Sequence, residues 1–160
     1  MSGEIELKFT SELWKKLREY LEKFRVGGHK FRVEPFGSIK YDDKTPDIVI
    51  IDEIGVPQLI IETKRKSDGR QEYLYDPFGR APIAQALCYA YLALEHHNMD
   101  RTPLFAVANR DVIVIFKGIE KEKLNELINI CSCRESMNRL RIGLKPLNLE
   151  HIVNCSMSTS

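Results

Sequence analysis

The stretch Asp47-Ile48-Val49-Ile50-Ile51-Asp52 constrains this chain most. Its four consecutive β-branched residues are stiff at the first side-chain torsion and favour an extended backbone. Alternate side chains of a strand point to opposite faces, so an unbroken apolar run must be covered on both. That is the signature of an interior strand in a sheet layered between helices. Glu53-Ile54-Gly55-Val56-Pro57 follows with turn chemistry, and Gln58 to Lys66 reads as a second strand. The two are expected to form a hairpin.

Around this hairpin the remaining elements fall into order. Ser11 to Phe24 reads as an amphipathic helix, with Leu13, Leu17, Tyr20, Leu21 and Phe24 on its apolar face. Thr10 or Ser11 is its expected N-cap, and Gly27-Gly28 ends it. Lys30 to Val33 and Ser38 to Tyr41 read as short extended pieces around Pro35. Lys66 to Gly79 is polar and irregular, and Pro82 opens a strong helix ending near His96-His97-Asn98. Leu104 to Ala108 and Val112 to Phe116 form a second apolar hairpin, and Glu120 to Cys131 another amphipathic helix. Helix, three strands, helix, two strands, helix is an α/β order, a central mixed sheet flanked by helices. A chain of 160 residues buries roughly 70% of its unfolded surface, enough for one core. We expect a single domain over 1–153 and a frayed tail over 154–160.

Charge and cysteine usage remove several function classes. Lys+Arg 24 against Asp+Glu 23 gives a net charge of +1, so any nucleic-acid contact must rest on a local basic patch. Neither a secretory signal nor an apolar run of ~20 residues is visible. Cys88, Cys131, Cys133 and Cys155 then read as reduced thiols, and the expected compartment is the cytoplasm, with no membrane partner. Cys131-x-Cys133 with His151 and Cys155 suggests a metal site at first sight. On a helix, however, residues 131 and 133 point about 200° apart, so buried thiols are the simpler reading. No Ser/Cys–His–Asp arrangement supports a covalent nucleophile.

The chemistry concentrates on Ile60-Ile61-Glu62-Thr63-Lys64. Alternation puts Glu62 and Lys64 on one face of the strand. A carboxylate beside two isoleucines is costly unless compensated. Lys64 is one compensator; a divalent cation shared with Asp47, at a matching distance from the turn on the neighbouring strand, is another. Such a cation polarises phosphoryl oxygens and acidifies water.

Pro46-Asp47 followed by Glu62-Thr63-Lys64 across a hairpin resembles the PD-(D/E)xK nuclease superfamily. The runs TPDIVIIDEIGVPQLIIETKRK, APIAQALCYAYLA and TPLFAVANRDVIVIFK are similar to the N-terminal nuclease domain of type I restriction enzyme R subunits, from about Glu12 to Phe116. The resemblance implies a restriction-endonuclease-like αβββαββ core and a Mg²⁺-dependent endodeoxyribonuclease, with Mn²⁺ able to substitute. By the same resemblance Asp47, Glu62 and the Thr63 carbonyl hold the metal and Lys64 is the catalytic lysine. A first-helix glutamate, Glu12 before Glu19, completes the site. Gln85 and Tyr89 match a Q-x-x-x-Y motif one helical turn apart and position the lysine or a phosphate. Arg65, Lys66, Arg70 and Arg80 are candidates to grip the phosphates of DNA. Tyr73, Tyr75 and Phe78 are expected to pin the polar loop to the core. The chain lacks a G-x-x-x-x-G-K-[ST] loop, hence the ATP-driven motor that follows the nuclease domain in restriction subunits. Paired subunits, common among nucleases that cut two strands, make a homodimer an expectation by analogy. The alternative is a non-catalytic nucleic-acid-binding or assembly module that keeps the nuclease fold.

Overall fold

A computed structural model describes residues 2–41, 44–66, 69 and 75–124. Its elements run α1 (Ser2–Lys23), β1 (Arg32–Glu34), β2 (Ile48–Ile51), β3 (Pro57–Thr63), α2 (Arg80–His96), β4 (Leu104–Ala108) and β5 (Ile113–Phe116). A 3₁₀ turn over Lys121–Leu124 follows. The five strands form one open sheet in chain order, antiparallel throughout except for the parallel pair β3–β4. Parallel neighbours need a crossover connection, and α2 supplies it. This is the mixed α/β arrangement expected from the element order.

Each helix accounts for one face of the sheet. Phe9 and Leu21 of α1 pack with Val33, Ile48, Ile50, Ile61, Ala106 and Ala108. On the other face, Tyr89 and Ala93 of α2 meet Val49, Ile51 and Ile60. Further along α2, Ile83, Leu87 and Leu94 cover Phe105, Val107, Val114 and Phe116. All four residues of β2 are therefore buried, as an unbroken apolar strand requires. Pro57 opens β3 opposite Ile51, where the register slips, a position that tolerates its missing N–H.

Several boundaries differ from the sequence expectation. The first helix begins at Ser2 rather than Ser11, because buried Phe9 carries the Leu13-Leu17-Leu21 stripe one turn further back. Thr10 and Ser11 are consequently interior helix residues, and the Thr10 hydroxyl oxygen lies 2.8 Å from the Glu6 carbonyl one turn back instead of capping. Tyr20 and Phe24 are exposed and lean on each other at 4.9 Å. Tyr20 stands about 100° around the helix from Leu21, and Phe24 lies beyond the helix end.

Ser38 to Tyr41 is not a strand: Gly37 (φ 91°) turns the chain, Ser38 N–H returns to the Pro35 carbonyl, and Tyr41 only bridges Lys44. The helix α2 starts two residues before Pro82, whose missing N–H goes unused in a first turn. Of the segment expected as a helix from Glu120 to Cys131, residues beyond Leu124 lie outside the described set. So do Cys131, Cys133, His151, Cys155, the tail over 154–160, and much of the loop between Lys66 and Gly79. Among the described residues no helix is long and apolar enough to cross a membrane.

Candidate active site

The pairing of β2 with β3 fixes the frame. Ile48 faces Ile61, so one step outward Asp47 comes opposite Glu62, and Pro46 opposite Thr63. Proline has no N–H with which to continue a ladder, and β3 stops at Thr63 rather than at Lys66. The Asp47 carboxylate takes over from the missing ladder: its Oδ2 accepts from the Thr63 amide (2.8 Å) and the Thr63 hydroxyl (2.9 Å). On the other side the Lys64 amide donates to the Ala108 carbonyl (2.8 Å), closing the parallel pair with β4. Open α/β sheets bind ligands beyond the carboxyl ends of their parallel strands, and this cluster lies at such an end.

Alternation along β3 then sorts the side chains. Ile60 packs against α2, so Glu62 and Lys64 share the α2-facing side while Thr63 points towards α1, against the Thr10 hydroxyl. Lys64 Nζ donates to Gln85 Oε1 on α2 (2.8 Å) and stands 3.4 Å from Glu62 Oε1. The Glu62 and Lys64 side chains are only 5% and 12% exposed, so solvent screens this group weakly. From α1, Glu6 Oε1 accepts the Arg65 amide (3.1 Å).

Burial holds the Glu62 carboxyl well above the usual carboxylate range, and the negative charge of Asp47 adds to it. Lys64 pulls the other way without cancelling either effect, while a hydrogen bond with Asp47 and the charge of Glu6 push Glu62 further up. Burial raises Glu6 as well, against the pull of Lys64 and the Arg65 amide. Three carboxyl groups thus surround one ammonium, and one buried acceptor, Glu62 Oε2, meets no N–H or O–H donor among the described residues.

A buried acceptor that meets no donor among the described residues, in a group with surplus negative charge, fits a hard cation. Among the described residues no three His, Cys, Asp or Glu side chains form a metal-holding group. Asp47 and Glu62 instead offer a pair of carboxylates, which suits Mg²⁺, an ion that commonly takes one or two carboxylates and keeps several waters.

No protein-family model, curated protein or solved structure matches the chain.

The other candidates divide clearly. Gln85 joins the cluster through Lys64. Tyr89, one turn on, is buried in a cluster with Val49, Ile51 and Ile60. Glu12 turns away: its carboxylate pairs with Arg110 on β4–β5 (2.8 Å), which holds it below the usual carboxylate range. Glu19 is exposed. The first-helix glutamate that reaches the cluster is Glu6, missed because the helix was expected to start after it. With α1 begun at Ser2, Glu6 sits one turn before buried Thr10, a carboxylate on the inward stripe, and that placement was the available signal. Arg65 is half-buried and lies over the Tyr75 ring at 4.1 Å. Phe78 is exposed. Lys66 is exposed and pairs with Asp111 (3.0 Å). Arg70, Tyr73 and the Arg80 side chain lie outside the described residues.

Proposed function

We propose that this chain is a divalent-cation-dependent nuclease that hydrolyses phosphodiester bonds in DNA, on a restriction-endonuclease-like fold. The observation that carries the reading is the convergence of Asp47, Glu62 and Lys64 where β3 ends, with the buried Glu62 Oε2 lacking a donor among the described residues. Asp47, Glu62 and the Thr63 carbonyl would hold Mg²⁺ or Mn²⁺. When bound, the ion supplies Lewis-acid neutralisation of charge on a phosphate.

The chain's own groups do the rest. Thr63 commits Asp47 Oδ2 to the protein, which fixes the rotamer and leaves Oδ1 as the carboxylate's other oxygen. Glu62 and Gln85 hold Lys64 from two directions. An ammonium has three N–H donors, so the third is available to orient a water or to stabilise charge growing on a phosphate oxygen. Weak solvent screening strengthens that interaction. Arg65 and Lys66 leave β3 directly after the cluster and supply positive charge for flanking phosphates.

The test is cleavage of plasmid and branched DNA in Mg²⁺ by the wild type, Asp47→Ala and Lys64→Ala, purified identically. Loss of cutting in both variants is expected; equal cutting by all three would refute the assignment. DNA binding without cleavage, and without cation heat that depends on Asp47, would make the protein a binding module instead.

A further inference from the structure

Thr10 is a buried polar residue on the inward face of α1, where its neighbours Phe9, Leu13, Leu17 and Leu21 belong to an apolar cluster. Valine would occupy the same space without a hydroxyl to satisfy, so the oxygen calls for a reason. Its contacts run in a line. Thr10 Oγ1 lies within hydrogen-bond distance of the Glu6 carbonyl (2.8 Å) and of Thr63 Oγ1, and Thr63 Oγ1 in turn reaches Asp47 Oδ2 (2.9 Å).

Proton counting orders this line. Each hydroxyl has one proton, so two protons serve three contacts. If Thr10 gives its proton to the Glu6 carbonyl and Thr63 gives its own to Asp47, two hydroxyl oxygens face each other with nothing between them. If Thr63 donates to Thr10, Asp47 keeps the Thr63 amide alone. If Thr10 donates to Thr63, Asp47 receives both the amide and the hydroxyl, and the Thr10 oxygen then faces the Glu6 carbonyl at 2.8 Å without a proton between them. The Glu6 carbonyl, four residues before Thr10 in a helix, has the Thr10 amide as its regular partner and loses least. Asp47 is the charged acceptor, and hydrogen bonds to ionised groups are roughly twice as strong as neutral ones. The third allocation wins.

We infer that Thr10 is a positioning residue for Asp47, acting through Thr63, so that α1 fixes the orientation of a carboxylate on β2. The inference rests on the reading of Asp47 as a cation-holding group, and it deepens that reading. Partners one bond removed from a metal ligand typically change metal affinity by 10- to 100-fold when lost. Thr10 stands one bond further out, so the low end applies.

The experiment titrates Mn²⁺ alone, by calorimetry, into the wild type, Thr10→Val, Thr10→Ser, Thr63→Val and the double variant, with melting curves for each. Thr10→Val is expected to weaken Mn²⁺ about tenfold, Thr10→Ser to bind like the wild type, and the double variant to lose no more than Thr63→Val. Wild-type affinity in Thr10→Val would overturn the inference, as would equal weakening in Thr10→Ser. Should Thr10→Val not fold, Thr10→Ala takes its place, with the same weakening expected and wild-type affinity overturning the inference.

A cation-independent arm separates this inference from the nuclease reading. Thr10→Val and Asp47→Asn are combined, and unfolding free energies are compared with and without Thr63→Val. Coupling that disappears when Thr63 is changed supports the relay even if the wild type takes up no Mn²⁺; strict additivity overturns it.

Discussion

Replacing Glu62 by glutamine keeps the shape of the side chain and removes its ionisable group. In the folded protein, burial and the neighbouring Asp47 hold this carboxyl well above its ordinary value, whereas an unfolded glutamate releases its proton near pH ~4.3. Above that pH the native wild type binds one more proton than the unfolded chain. Its stability therefore falls as pH rises, and keeps falling until the pH passes the folded value. One proton corresponds to about 1.4 kcal/mol per pH unit. In a chain of this size about 1 kcal/mol moves Tm by roughly 2–4 °C, so the slope is roughly 3–6 °C per unit.

The E62Q protein lacks that slope. Glu6, also raised by burial, titrates in both proteins, so only its repulsion with Glu62 enters the difference. Melting curves between pH 4 and 8 in EDTA, read by circular dichroism, should coincide at the acid end and then diverge, with E62Q the more stable. Mg²⁺ should recover the wild type and leave E62Q unmoved, because ligands that bind only the folded state stabilise it. Parallel curves from pH 5 to 7, or a wild type that is more stable at pH 7, would refute the reasoning. Either result would mean that Lys64, 3.4 Å away, outweighs both burial and Asp47.

Glu6→Gln should weaken Mn²⁺ uptake measured calorimetrically, whereas Glu12→Gln, which loses only an exposed pair with Arg110, should leave both the titration and the melting midpoint unchanged. Tyr41 is buried with its hydroxyl unpartnered among the described residues, and burial pushes its pKa up to about 12. Tyr41→Phe should stabilise the fold by about 1 kcal/mol, seen as a higher urea midpoint at unchanged slope. Phe105→Ala removes a fully buried ring stacked on Phe116 at 5.1 Å and should cost about 3–5 kcal/mol in the same urea experiment.

What the sequence revealed and what it hid follow from the range of the forces involved. Ile48 to Ile51 announced a strand covered on both faces because side-chain alternation is a local rule, and the two hairpins followed from short-range turn chemistry. Asp47, Glu62 and Lys64 could be brought together on paper because a hairpin's register relates positions that are equidistant from its turn. The start of α1 was hidden: Thr10 and Ser11 have the chemistry of an N-cap, yet the packing of Phe9 onto Ile48 and Ile61 overrides that local preference. That one boundary concealed Glu6. Gln85 and Tyr89 looked equivalent at their spacing, yet Gln85 meets Lys64 while Tyr89 enters the core, a choice made by tertiary packing. The pairing of Glu12 with Arg110 spans 98 positions of the chain, a separation on which sequence pattern is silent.

The parallel pairing of β3 with β4 has a kinetic consequence. The antiparallel hairpin that holds Asp47 and Glu62 involves only neighbouring segments, but Lys64 meets Gln85 only after α2 has crossed over, and β3 gains its second neighbour only when β4 arrives. Closing such non-local contacts is the slow part of folding. A chain still lacking β4 would hold its acids apart from a fixed ammonium, so the cluster becomes competent late, in the same event that completes the sheet.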